Sequence, residues 1–98
     1  MKLEEKVYKK LLQVPKGRVT TYAELAKAIG LENGQRAIGR MMNKNPYPVI
    51  IPCHRVILSN GNIGGYAWGE NVKVNMLSKE GVKIKNGKIL NLNEIYRF

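Results

Sequence analysis

Leu3, Val7, Leu11 and Leu12 recur at helical spacing with Lys and Glu between them, and Pro15-Lys16-Gly17 ends the run. That pattern predicts an amphipathic helix within Leu3 to Val14. Arg18-Val19-Thr20 reads as a short extended piece, and Thr21-Tyr22-Ala23-Glu24 as a capping box, a hydroxyl and a carboxylate three residues apart serving each other's free amides. The helix that follows runs to about Ile29 with Gly30 as terminator. Another starts near Gly34, turns Ala37, Ile38, Met41 and Met42 inward and ends before Pro46. Two helices joined by a short turn form a helix-turn-helix, a spacing shared by many unrelated hairpins.

Beyond Asn45-Pro46-Tyr47-Pro48, an extended loop, the apolar stretch Val49-Ile50-Ile51-Pro52 reads as buried chain, and Val56-Ile57-Leu58 as a short strand. Ser59-Asn60-Gly61-Asn62 is a turn, and Ile63 to Gly69 a flexible, glycine-rich loop bearing Tyr66 and Trp68. A further helix over Asn71 to Glu80 buries Val72, Met76 and Leu77 and closes at Gly81. The tail alternates through Val82-Lys83-Ile84-Lys85, turns at Asn86-Gly87 and returns through Lys88-Ile89-Leu90, a hairpin signature. The expected class is mainly α (α+β), a winged helix-turn-helix-like domain with short strands and a C-terminal hairpin.

Length limits the organisation. At 98 residues the chain is expected to form one domain, 1–98, with no N-terminal companion. Its apolar runs fall far short of the ~18 residues that span a bilayer, and acidic Glu4-Glu5 stands where a signal peptide needs apolar residues. The expectations are no membrane association, a cytoplasmic location and a monomer. Charge points to the partner: 17 Lys and Arg against 7 acidic residues give a formal net charge of +10. From Gly34 to Asn60 the chain carries Arg36, Arg40, Lys44 and Arg55 with no acid, a field that attracts a polyanion such as a nucleic acid backbone.

The single Cys lies in Pro52-Cys53-His54-Arg55, beside the only His. A thiol is a nucleophile as its thiolate, which a neighbouring base or cation favours. The plainer reading makes Cys53 a small buried apolar residue and His54 a surface one. Two soft ligands are too few for zinc.

In sum these residues resemble the C-terminal, active-site domain of the O6-alkylguanine-DNA alkyltransferases. The resemblance is carried by Pro52-Cys53-His54-Arg55-Val56, Asn45-Pro46, Gly65-Tyr66, Glu80-Gly81, Gly17 to Ala26 and Gln35-Arg36-Ala37-Ile38-Gly39, in order and spacing. It implies single-use DNA repair without a cofactor, in which Cys53 accepts an alkyl group from O6-alkylguanine in double-stranded DNA. By the same resemblance His54, oriented by Glu80, takes the thiol proton through a water. Asn45 holds the active-site turn, and Tyr22 donates to guanine N3 as charge leaves on the ring. The Cys53 and Val56 carbonyls read the exocyclic amine, and Tyr66, Ala67 and Trp68 line the substrate wall. Arg36 fills the stack after the nucleotide swings out, with Thr21, Gln35, Ala37, Gly39 and Arg40 on the same DNA-binding face, the small residues letting the helix enter the minor groove.

Other readings stay open at this level. Tyr22 could be an ordinary first-turn residue, Arg36 a phosphate contact, Glu80 the last exposed residue of its helix, Lys73 solvated surface and Trp68 a core anchor. A damage-recognition relative without chemistry is one functional rival, although such proteins lack the acceptor thiol. A plain helix-turn-helix regulator is another, with few long side chains to read major-groove edges. A papain-like Cys-His peptidase needs His and Asn about 130–150 residues downstream, more than the chain holds.

Overall fold

The computed structural model describes residues 3–44, 51–66 and 68–98; the expected Asn45 to Pro48 loop, Val49 and Ile50 of the expected buried stretch, and Ala67 lie outside the described residues. Helix α1, Leu3–Leu11, has Glu4 and Glu5 in its first turn and Lys9 and Lys10 in its last, charges that complement the helix dipole. Only Val7 and Leu11 of its apolar set are buried, while Leu3 and Leu12 are exposed. The chain tightens after Leu11, with Gln13 N donating to Lys10 O and Val14 N to Leu11 O, each at 3.0 Å. That winding carries Val14 into the core in place of Leu12.

Strand β1, Thr20–Thr21, leads directly into α2, Tyr22–Ala28, and α3 follows at Gln35–Asn43. Thr21 Oγ1 accepts from Glu24 N at 3.0 Å, the forward half of the expected capping box. The Glu24 carboxylate pairs with Arg97 Nη1, bringing the C-terminus against the start of α2. Leu25, Ala26, Ile38, Met41 and Met42 pack with Val7, Leu11, Val14, Cys53 and Val56 in one apolar cluster. The two methionines are core, as expected.

Strand β2, Val56–Ile57, pairs with β1 in parallel, Thr20 opposite Val56 and Thr21 opposite Ile57. Side chains of successive strand residues point to opposite faces. Val56 therefore joins the helical cluster, whereas Ile57 joins a second one with Val19, Ile63, Leu77, Val82, Ile89 and Ile95. Ile63 is fully buried, so the glycine-rich stretch is anchored at its start.

Helix α4 spans Glu70–Lys79, followed by a hairpin of β3, Ile84–Lys85, and β4, Lys88–Ile89. Asn86 and Gly87 both take positive φ, 54° and 74°, the conformation a two-residue type I′ turn demands. Three expectations for α4 are corrected: Val72 is 36% exposed, Met76 is only half-buried, and Lys73 is fully buried. The helix turns Lys73 and Leu77, four residues apart, toward the core, and the lysine is tolerated because its ammonium finds acceptors there. The C-terminal segment lies beside Val19, with Thr20 Oγ1 donating to Tyr96 O at 2.9 Å. No helix among the described residues is long and apolar enough to cross a membrane.

Candidate active site and DNA face

Pro52 sets the backbone that presents the thiol. Its ring holds φ near −65°, and here φ −77° and ψ 67° form an inverse γ-turn in which Cys53 N donates to Ile51 O at 2.7 Å. A single 3-10 turn, Cys53–Arg55, follows, with Arg55 N donating to Pro52 O at 2.9 Å. Cys53 and His54 are buried, which removes the surface reading of His54.

His54 Nε2 lies 3.0 Å from Glu80 Oε2, and Arg55 reaches the same carboxylate twice, Nε to Oε1 at 2.9 Å and Nη2 to Oε2 at 2.7 Å. Arg55 Nη1 also donates to Val14 O at 3.0 Å, tying the group to the end of α1. Burial pushes the His54 pKa down and outweighs the upward pull of Glu80. Glu80, despite its own burial, is lowered by its bonds to Arg55 and His54. A neutral imidazole facing an ionised carboxylate donates through Nε2–H, which leaves the lone pair on Nδ1. Nδ1 is buried without a partner among the described residues, so its unused atom is an acceptor. Glu80 is only 12% exposed on its side chain, which overturns its reading as an exposed helix end.

Gly17 sustains this geometry from a distance. It has φ +90°, and a Cβ there would stand 3.2 Å from the Glu80 carbonyl oxygen. Any side chain at that position would push on the end of α4.

Tyr66 and Tyr22 flank the thiol. Burial first and the charge of Cys53 second push the Tyr66 pKa up to about 12. Burial first and the Cys53 charge second also raise Tyr22. The Tyr66 hydroxyl is buried with no nitrogen or oxygen partner among the described residues. Trp68 packs edge-on against Tyr66, ring centroids 5.8 Å apart, yet is 53% exposed, so it is not a core anchor. The Val56 carbonyl accepts from Lys73 Nζ at 2.7 Å.

Tyr22, Gln35, Arg36, Gly39, Leu58 and Ser59 line a groove of about 320 Å³ that joins the start of α2 to the exposed face of α3. Open space surrounds the Cα of Gly39, while Ala37 packs against the helical cluster; only one of the two small residues thus faces the groove. Arg36 and Arg40 are exposed. Thr21 departs from the expected set, since it is buried and its Oγ1 caps α2. A larger hollow of about 500 Å³ beside the helix-turn-helix turn, lined by Ala23, Lys27, Leu31 and Asn33, holds none of the reactive groups. Asn45 and Ala67, expected at the site, lie outside the described residues.

The stretch that builds this site matches a known family: residues 2–82 match the 6-O-methylguanine DNA methyltransferase, DNA binding domain. The chain belongs to that family. A methylated-DNA–protein-cysteine methyltransferase of Thermococcus sibiricus is 53% identical over 81 residues, covering 82% of this chain and 45% of the relative. One from Candida glabrata is 41% identical over 86 residues, covering 88% and 42%. The chain thus spans less than half the length of these methyltransferases. A solved structure of Mycobacterium tuberculosis OGT in complex with DNA superposes with a TM-score of 0.79 at 38% identity, over 83% of this chain and 49% of that one. S. pombe Atl1, solved in complex with damaged DNA containing O6-carboxymethylguanine, gives 0.85 at 32% identity over 99% of both chains.

For a member of the methyltransferase family, two features of the site escaped the sequence reading. Arg55 was a charge beside the thiol, and its grip on Glu80 depends on residues 25 apart in sequence. For Lys73 the sequence leaves solvated surface open, whereas the structure buries it. Its i, i+4 relation to Leu77 was the available signal.

Proposed function

We propose that this chain repairs DNA by binding double-stranded DNA containing O6-alkylguanine, turning the damaged nucleotide out of the stack and moving the alkyl group irreversibly to Cys53. The carrying observation is the His54–Glu80 bond of 3.0 Å, with His54 Nδ1 left as a buried acceptor next in sequence to a buried thiol. In this reading His54 takes the thiol proton through a water. The sulfur then attacks the alkyl carbon as the carbon–O6 bond breaks, and its electron pair returns to the purine ring. A hydrogen bond from Tyr22 to N3 stabilises that charge, and the released guanine gains a proton from solvent. No cofactor enters and the thioether is not reversed, so one chain acts once. Arg36, at the rim of the groove with Tyr22, occupies the gap in the stack. Gln35, Gly39 and Arg40 meet the duplex beside it. We place the protein, as a monomer, in the compartment that holds the DNA, the cytoplasm of a prokaryotic cell or the nucleus of a eukaryotic one.

Recognition without transfer is the second reading, favoured by the correspondence with Atl1 over the whole of both chains. Intact mass before and after incubation with duplex DNA containing O6-methylguanine separates the two. A gain of one methylene mapped to Cys53 supports transfer; an unchanged mass with tight binding supports recognition alone.

A further inference from the structure

Lys6, Lys9 and Lys10 stand three and four residues apart on α1, so one face of a nine-residue helix carries three like charges that repel one another. That face borders a groove of about 430 Å³, closed on its other side by Ala28 and Ile29 at the end of α2. Lys6 and Lys9 are exposed, as is Lys27 on α2, and Lys10 is half-buried with its Nζ 5.9 Å from the centroid of the Phe98 ring. None of the four forms an ion pair with a carboxylate of the described residues. The helix dipoles account for Lys9, Lys10 and Lys27, each in a last turn. They account neither for Lys6 in the middle of α1 nor for the gathering of lysines from two helices on one surface.

This surface is continuous with the groove of Tyr22 and Arg36. Gln35 lines that groove and also the hollow beside the helix-turn-helix turn. Lys27 lines the hollow and a cleft of about 220 Å³ that it shares with Lys10, and Lys10 lines the cleft and the groove of Lys6 and Lys9. Two carboxylates lie along the path, Glu24, which Arg97 holds, and the exposed Glu32. The path therefore sets Arg36, Lys27, Lys10, Lys9 and Lys6 against Glu32. A compact anion would satisfy one of these cations. The backbones of a duplex, with one charge per about 1.7 Å of helix axis, can satisfy them in succession.

We propose that Lys6, Lys9, Lys10 and Lys27 extend the DNA face into a track that takes the sugar-phosphate backbone flanking the damaged site in the same duplex. The inference rests on the DNA-binding half of the proposed function and adds to it a surface on α1 and the end of α2 that holds none of the groove residues. Lysines on such a track read no base; they neutralise phosphates, and each contact releases condensed counterions.

The test uses fluorescence anisotropy of a lesion-free duplex of roughly 20 base pairs, kept limiting and titrated with the chain from about 50 to 250 mM salt, so that no alkyl transfer enters. The triple variant Lys6→Gln, Lys9→Gln, Lys27→Gln is compared with wild type and with a control of equal net charge, Lys79→Gln, Lys83→Gln, Lys85→Gln, three exposed lysines on and after α4. At about 0.9 per phosphate contact, the log–log salt slope of the first variant should be shallower than wild type by about 2 to 3, with a dissociation constant at ~0.1 M salt at least tenfold higher. The control should keep both values, because screening at that salt confines each charge to about 10 Å. A first variant with the wild-type slope overturns the proposal and leaves the lysines to an acidic protein surface; equal losses in the two variants overturn it as a plain effect of net charge. A variant that keeps its slope at limiting duplex and loses only a second duplex bound in DNA excess overturns it in favour of another DNA molecule. Should the triple variant melt earlier than wild type, Lys6→Gln and Lys27→Gln decide singly, each expected to lower the slope by about 0.9. Failure of the DNA reading itself would show in wild type, as duplex binding absent at every salt concentration, and would remove the track with it.

Discussion

Glu80 Oε2 and His54 Nε2 meet at 3.0 Å across 26 residues of chain, at the end of one helix and in the middle of a three-residue turn. Arg55 occupies both oxygens of the same carboxylate. The guanidinium keeps Glu80 ionised, the ionised carboxylate fixes the Nε2–H tautomer, and the tautomer leaves Nδ1 as the basic atom.

Glu80→Gln removes the charge that holds the tautomer and strands the Arg55 guanidinium. Single-turnover transfer should slow within the roughly 10²–10⁴-fold range of general-base effects, and His54→Ala should do the same. Rapid-quench kinetics on O6-methylguanine duplex measure it; unchanged rates in both variants would remove the relay.

Stability should fall on acidification. His54 and Glu80 both have lowered folded pKa values, so the unfolded chain binds protons first as pH drops. The His54 contribution is present above the ordinary histidine value of 6.5 and lost as pH falls below it, and the Glu80 contribution is present above 4.5 and lost below that. Melting temperatures from pH 7.5 to 3.5 should decline in wild type and decline less in the double variant His54→Gln, Glu80→Gln.

Arg36→Ala should weaken repair of a paired O6-methylguanine more than transfer from the free alkylated base, because only the former has to leave a stack. Second-order rate constants on the two substrates give the comparison. Equal losses would assign Arg36 to folding or general binding.

Trp68 stands half in solvent against Tyr66, so Trp68→Gly should cost little melting temperature. An indole beside the alkyl group resists extra atoms at a cost of about 1–3 kcal/mol, so wild type should react poorly with O6-benzylguanine and the variant faster. A variant with no gain in benzyl transfer would place the indole away from the alkyl group.

Cys53→Ala should abolish the mass gain while DNA binding persists, since the groove residues lie on α2 and α3 and in the turn after β2. Binding of this +10 chain should weaken steeply with salt as condensed counterions are released. Titrations from low to moderate salt read the slope, and a flat profile would contradict a backbone-dominated interface.

The order of helices, the Asn86-Gly87 hairpin and the Thr21 cap were legible in the chain because each depends on residues within four positions of one another. The motif around Cys53 was legible for the same reason. Tertiary structure alone decided the rest. Leu12 and Val14 exchanged roles because the chain tightened after α1, and Glu24 turned to Arg97 because the C-terminus folds back beside Val19. The parallel pairing of β1 and β2, two residues each and 36 positions apart, leaves no local period to read. Arg55 and Lys73 show the reason most directly. A charged side chain reads as surface in sequence, since water is its cheapest partner, and only the assembled fold brings a carboxylate to one and three carbonyl oxygens to the other.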